Sequence, residues 1–284
     1  MKENEIMFSV LIPAYKSTFL GQAIQSVIDQ NYINWELIIV DDHSPENLES
    51  IVGRYDDRRI FYYRNEKNSG AVDVVDNWNK CLSYAKGTYA ICMGDDDMLY
   101  SDTLREYFNA VMKHPTVDVF HARTVIVDEQ NKELYISPKR AEHENVCDFI
   151  RRRIEGTMQF VGDFCFKVSR LRELGGFIKF PLAWGSDDIT VFSAATEHGI
   201  VNLVSPSFKY RFNSQTISTS GNVETKLHAI ALEEDWYSNF LATYKTDDFA
   251  EKLDLKYIEN HYKNKIAIKK AQCIAEDMNI SVHR

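Results

Sequence analysis

The chain has 284 residues, 44% of them hydrophobic and 26% charged, with a formal net charge of −9. That composition excludes disordered, collagen-like and coiled-coil designs and suits one large α/β domain with elaborations. The acidic balance argues against a nucleic-acid partner, because phosphate neutralisation needs clustered Lys and Arg.

Phe8-Ser9-Val10-Leu11-Ile12, ending at Pro13, predicts a buried strand. A helix follows, with Ser17 or Thr18 as its cap and Phe19, Leu20, Ala23, Ile24, Val27 and Ile28 on its buried face. Trp35-Glu36-Leu37-Ile38-Ile39-Val40 predicts a second strand that stops at Asp41-Asp42. A helix over 45–55 and a strand at Ile60-Phe61-Tyr62-Tyr63 come next, then a loop at Asn68-Ser69-Gly70 and a helix that stops at Gly87. Tyr89-Ala90-Ile91-Cys92-Met93 is again strand-like and again ends in acids, Gly94-Asp95-Asp96-Asp97. Ser101 and Asp102 cap a further helix to His114.

Past residue 117 the rhythm changes. Val119 to Val127 reads as one long strand or a strand pair, and the segment 128–145 is polar. A helix over 146–154, a tight turn at Gly175-Gly176 and a helix opened by Asp187-Asp188 follow. A strand over 201–210 precedes helices beyond Val223. Alternating strands and helices imply a mostly parallel, Rossmann-like sheet flanked by helices, with a C-terminal helical extension. The boundaries read as 1–222 for the main domain (7–115 nucleotide-binding, 116–222 acceptor-binding) and 223–284 for the extension.

The cysteines, Cys81, Cys92, Cys147, Cys165 and Cys273, are odd in number and form no C-x-x-C pair. A zinc site or disulfide framework is not expected, and a reducing compartment fits. The polar start lacks a signal-peptide core, and no apolar run approaches the ~20 residues that span a bilayer. The expectation is a cytoplasmic protein, with peripheral attachment at the inner membrane face left open.

In open parallel sheets, ligands gather beyond the carboxyl ends of the strands, where Asp41, Asp42, Asp95, Asp96 and Asp97 all fall. Three adjacent carboxylates repel each other unless water or a cation screens them. Oxygen ligands at a strand end suit Mg²⁺ or Mn²⁺ and a diphosphate; the competing reading is a solvated acidic turn. Asp42 is expected to meet a nucleobase, with Asp41 structural or on the ribose. Tyr15 reads either as a stacking platform for the base or as packing. Asp187 and Asp188 read as a general base for an acceptor hydroxyl, or as carboxylates favoured by the helix dipole. Arg211 reads as a diphosphate partner or as a surface cation.

In order and spacing, several segments resemble the inverting glycosyltransferases of family 2, which have the GT-A fold. They are Ser9 to Tyr15, Trp35 to Ser44, Asn68-Ser69-Gly70, Ala85 to Tyr89, Gly94 to Asp97, Leu174 to Phe177 and Ser186 to Asp188. The resemblance implies that Pro13, Ala14, Tyr15 and Asp42 contact the nucleoside and that Asp95 and Asp96 hold the metal, Asp96 chiefly. It puts the catalytic base at Asp188, with Asp187 as the alternative, and Arg211 near the diphosphate. Asn213 stands where some relatives carry a His, so no histidine ligand is expected there. The implied reaction is a single inverting displacement from a nucleotide sugar, with uridine as the default base. Its acceptor would be a glycan or lipid-linked hydroxyl in cell-surface polysaccharide or glycolipid synthesis. The alternative is a catalytically inactive nucleotide-sugar-binding module of the same fold.

Overall fold

The computed structural model describes residues 6–213 and 222–278. Four parallel strands form one wing of the sheet in the order β3 (Ile60–Arg64), β2 (Trp35–Asp41), β1 (Phe8–Ala14) and β4 (Tyr89–Cys92). Helices α1 (Leu20–Ile28) and α3 (Val74–Tyr84) supply two of the crossovers. The other wing is mixed. β9 (Phe164–Lys167) runs antiparallel between β4 and β6 (Val119–Val127), and β6 pairs in parallel with β10 (Ile200–Arg211). Two-residue β5 (Met98–Leu99) closes that edge.

β1, β2 and β4 are mostly apolar and buried along nearly their whole length because both faces are covered, whereas the edge strand β3 is only partly buried. Leu11, Ile38 and Val40 point into one apolar cluster, while Val10, Ile12, Leu37 and Ile39 point into another. The second cluster lies under α1 and α4 (Thr103–Lys113). The first is filled by α3, α5 (Val146–Ile154), α6 (Val168–Glu173), α7 (Ser186–Ala194) and the C-terminal helices α8 (Val223–Thr243) and α9 (Phe249–Asp277). Ile230, Tyr237, Ile258, Tyr262 and Ile266 of that helical pair belong to the same core as Leu11 of the central strand. All five cysteines are buried and free. Among the described residues no helix is long and apolar enough to cross a membrane.

The differences from expectation have local causes. The first helix begins at Leu20 rather than at a Ser17 or Thr18 cap, because Ser17 instead donates its amide to Glu46 at 2.7 Å. The helix expected over 45–55 shrinks to α2 (Glu49–Val52). Ser44 is held back, its amide on Asp41 at 2.7 Å and its hydroxyl on the Tyr15 carbonyl at 2.6 Å. The polar segment after β6 contains β7 (Glu133–Ile136), which pairs with β6, and β8 (His143–Glu144), which pairs with β10. α3 ends at Tyr84, and Gly87 is needed for close approach rather than as a helix stop. A β-carbon there would lie 2.6 Å from Ser9 Oγ and 2.7 Å from the Met7 carbonyl and Ser9 amide, all on the edge of β1.

Gly87→Ala should therefore strain the β1–β4 junction and lower stability by about 1–3 kcal/mol. A fall in both urea and thermal midpoints at unchanged secondary structure content would show this; unchanged midpoints would contradict it.

Candidate active site

The parallel wing delivers three strand ends to one rim. At the end of β2, Asp41 is fully buried and accepts from the Ser44 amide, the Tyr62 hydroxyl at 2.6 Å and the Arg64 guanidinium. It is a structural carboxylate. Asp42 is also buried and accepts from the Asn65 amide at 2.8 Å and from the Ser69 backbone and hydroxyl at 3.0 Å. It thereby ties the 65–70 loop to the rim. At the end of β1, Pro13 and Ala14 are strand residues, and Tyr15 projects with 42% of its surface exposed, a ring open to stacking.

Beyond β4 the acidic triplet is divided by its surroundings. Asp95 accepts the backbone amides of Tyr15 and Lys16, both at 2.7 Å, which joins the β1 end to the β4 end. Burial and then the neighbouring Asp96 push its carboxyl up to about 6. Asp97 turns inward and accepts the amides of Gly94 at 3.2 Å and Arg211 at 3.0 Å. Its carboxyl, too, is raised by burial and then by Asp96. Asp96 stays partly exposed, and among the described residues only the Asn213 amide donates to its carboxylate, at 2.6 Å. Gly94 is required here. A β-carbon would lie 2.7 Å from Asp96 Oδ1 and 2.9 Å from Asp97 Oδ2.

These groups border a cleft of about 170 Å³ lined by Lys16, Thr18, Phe19, Asp95, Asp96, Glu129 and Asn213. Among the described residues no set of three or more His, Cys, Asp or Glu forms a closed metal cage. The donor set instead fits an ion that takes one or two carboxylates and fills its remaining positions with water and ligand phosphate, the habit of Mg²⁺. Asp96, partly exposed beside a carboxyl already raised by burial and by Asp96's own charge, is the residue suited to such an ion.

Arg211 differs from its sequence reading. The side chain is 1% exposed and donates to the carbonyls of Asp96 at 2.9 Å, Asp128 at 3.0 Å and Glu129 at 3.2 Å. It also donates to Gln22 at 3.0 Å and Asn131 at 2.8 Å, and it lies 4.0 Å over the Phe19 ring. The guanidinium is thus occupied in holding the 128–131 turn against the acidic loop. Lys16, which the sequence did not single out, is the cation that lines the cleft.

Asp187 and Asp188 begin α7 but have opposite environments. Asp188 is 1% exposed, accepts both Arg153 Nε contacts at 2.8 and 2.9 Å and takes the Gln159 amide at 2.6 Å. Burial alone would raise it, yet Arg153, with Lys265 and Lys269, holds it below the usual carboxylate range. Asp187 is partly exposed, and burial followed by repulsion from Asp188 pushes it up to about 7. Burial raises the Tyr210 hydroxyl, and the negative charges of Asp97, Asp96, Asp163 and Asp187 add to that. The Tyr210 ring stacks on Phe160 with centroids 3.6 Å apart. Asp163, buried and bonded to Thr124 and the Phe160 amide, is likewise raised to about 7, mainly by burial.

Residues 9–171 match the family model for glycosyl transferase family 2. The chain belongs to that family. This family 2 enzyme is 24% identical over 226 residues to the UDP-Glc:alpha-D-GlcNAc-diphosphoundecaprenol beta-1,3-glucosyltransferase WfgD of Escherichia coli, covering 78% of this chain and 84% of that one. It is 32% identical over 174 residues to the putative colanic acid biosynthesis glycosyl transferase WcaA of Escherichia coli K12, covering 59% and 60%. The fold matches the crystal structure of S. aureus TarS in complex with UDP-GlcNAc at a TM-score of 0.70 and 18% identity, covering 90% of this chain and 72% of that one. The fold is therefore GT-A, and the enzyme is a glycosyltransferase whose homologues act in cell-surface polysaccharide synthesis.

The sequence missed Arg153 and Gln159, which hold Asp188, because neither carries a local signal: Arg153 is the last of three consecutive arginines on α5. Arg211→Lys should lower stability by about 2–4 kcal/mol, since one ammonium cannot reach five acceptors. The check is a thermal melt without nucleotide, with hydrogen exchange over residues 128–131. An unchanged melt with weakened nucleotide binding would instead restore Arg211 to the diphosphate.

Proposed function

We propose that the enzyme transfers a sugar from a UDP-sugar to a hydroxyl of a glycan or lipid-linked acceptor, in one inverting displacement, with Asp187 as general base. The observation that carries this reading is the pairing of an open strand-end cleft, bordered by Asp95 and Asp96, with a partly exposed carboxyl near neutrality at the head of α7. A uridine donor is supported by likeness to WfgD, named for UDP-Glc, and to TarS, crystallised with UDP-GlcNAc. In the proposed complex Tyr15 stacks on the base, while Asp42, Pro13 and Ala14 shape its seat. Lys16 lies where it meets diphosphate oxygens.

Asp96, with Asp95, would hold a Mg²⁺ or Mn²⁺, which supplies positive charge against the diphosphate. The acceptor hydroxyl attacks the anomeric carbon, the new C–O bond forms as the bond to the diphosphate oxygen breaks, and the nucleoside diphosphate leaves. Asp187 takes the hydroxyl proton as the nucleophile's charge develops. Asp188 is ionised too, but its oxygens are engaged by Arg153 and Gln159, which argues for Asp187 among the two.

Two outcomes are expected. In a thermal-shift panel of UDP, GDP, TDP and CDP with and without Mn²⁺, UDP should raise the midpoint most, with an increment that depends on the ion; Asp96→Ala should abolish that increment. A shift equally large without the ion would sink the metal assignment.

For the base, kcat/KM should rise with pH through about 7, the value to which Asp187 is pushed. Asp187→Asn should keep UDP binding and lose transfer by roughly 10²–10⁴-fold. Because the native state holds the Asp187 proton more tightly than the unfolded chain, stability contributed by its protonated form is lost as pH rises toward 7. The Asn variant should accordingly be the more stable protein at pH 8, with the difference vanishing near pH 4. Full turnover in Asp187→Asn would return the role to Asp188 or elsewhere.

A further inference from the structure

Behind Asp187 and Asp188 lies a set of charges drawn from three helices and centred on a buried carboxylate, Glu233. Arg153 of α5 grips Asp188. Glu233 of α8 is fully buried, 2.5 Å from Lys269 and 3.7 Å from Lys265 of α9. Lys265 also donates to the buried Tyr237 hydroxyl of α8 at 3.4 Å. Glu233 reaches the head of α7 itself, where a β-carbon on Gly185 would lie 3.5 Å from its Oε2. Gly185 precedes α7 with φ of 87°, so this approach falls at a position that favours glycine.

We propose that the C-terminal helix pair serves catalysis, with Lys269 and Lys265 as positioning residues that set the electrostatic setting of the Asp187–Asp188 pair from behind. The inference rests on the reading of Asp187 as base. A helical appendage that only covered the core would present apolar groups here. Burying a charge is costly unless it is paired, and it is Glu233 that is wholly buried at the head of α7, with the partly covered Lys269 and Lys265 supplying the positive charge beside it. Burial pulls Lys265 down to about 8 even with Asp188 and Glu233 close by. The charged or titratable groups around the pair are Arg153 from α5, Glu233 and Tyr237 from α8, Lys265 and Lys269 from α9, and Asp163 and Tyr210 from the site side. Lys269 acts on both aspartates, Lys265 on Asp188.

The sign follows from Coulomb's law. With Lys269 neutral, the ionised form of Asp187 loses a supporting charge while Asp188, still held by Arg153, remains ionised and repels it. The base then gains its proton at a higher pH.

The test is the pH profile of kcat/KM for Lys269→Gln, which still donates to Glu233, with Lys269→Arg as the charge-conserving control. UDP binding is measured alongside. The acid limb should move to higher pH by about one unit, a roughly tenfold loss of kcat/KM below the limb. Turnover should recover above it, UDP binding should hold, and the Arg variant should be restored. A limb that stays put, or a loss equal at every pH, overturns the proposal. Lys269→Met, which removes the same charge, repeats the test if the first variant does not fold. The base assignment fails separately: a wild-type profile without an acid limb, or an active Asp187→Asn, removes it whatever the lysine variants do.

Discussion

Asp95 accepts the backbone amides of Tyr15 and Lys16, and those two bonds fasten the end of β1 to the end of β4. A charge-assisted bond to a backbone amide is stronger than a neutral one, and two on one oxygen also fix direction. Because the amides come from the residues just beyond the strand, the Tyr15 ring and the Lys16 side chain are aimed by the same contact. The carboxylate that shapes the cleft also borders it. Position and charge at the rim are therefore not independent: neutralising Asp95 would change both.

A protein of net charge −9 concentrates acids at this rim and manages them by direction. Asp41 faces Arg64 and Tyr62, Asp42 faces the 65–70 loop, and Asp97 faces the amides of its own turn and of Arg211. Each is withdrawn from solvent into hydrogen bonds, leaving Asp96 as the exposed member. Arg211 completes this arrangement from β10, a strand of the other wing, and brings the 128–131 turn in with it. The donor side thus depends on strands from both wings.

Much of this was legible in the sequence, for a physical reason. An apolar run buried on both faces seldom continues far into carboxylates, so the changes at Asp41 and at Gly94-Asp95 mark the two strand ends to within a residue or two without an alignment. In parallel strands those ends share an edge, and the acids converge by topology alone. Arg211 was read as a diphosphate partner or a surface cation because its residue type suits either role. Its partners at positions 22, 96, 128, 129 and 131 are decided by tertiary packing, which no local pattern encodes. The short α2 was overread for a similar reason: Ser44, a fair helix-cap residue, is claimed by Asp41 and Tyr15 instead. The C-terminal helices were seen as helices, but no local pattern showed that α9 packs on both α5 and α8 and that both helices enter the core of the sheet.

Two carboxylates at adjacent positions of a helix cannot have the same surroundings. Successive side chains diverge by about a quarter turn, since 3.6 residues complete one turn. At the head of α7 this separation falls across the boundary between core and cleft. Asp188 lands among Arg153, Gln159 and the lysines of α9, where ionisation is supported and the oxygens are engaged. Asp187 lands one step round, partly exposed and within the field of a neighbour that is always charged. The pair makes one member a fixed anion, and that anion adds to what burial has already done at Asp187, so the acid that is held in place carries the free one further toward the range in which it can take a proton.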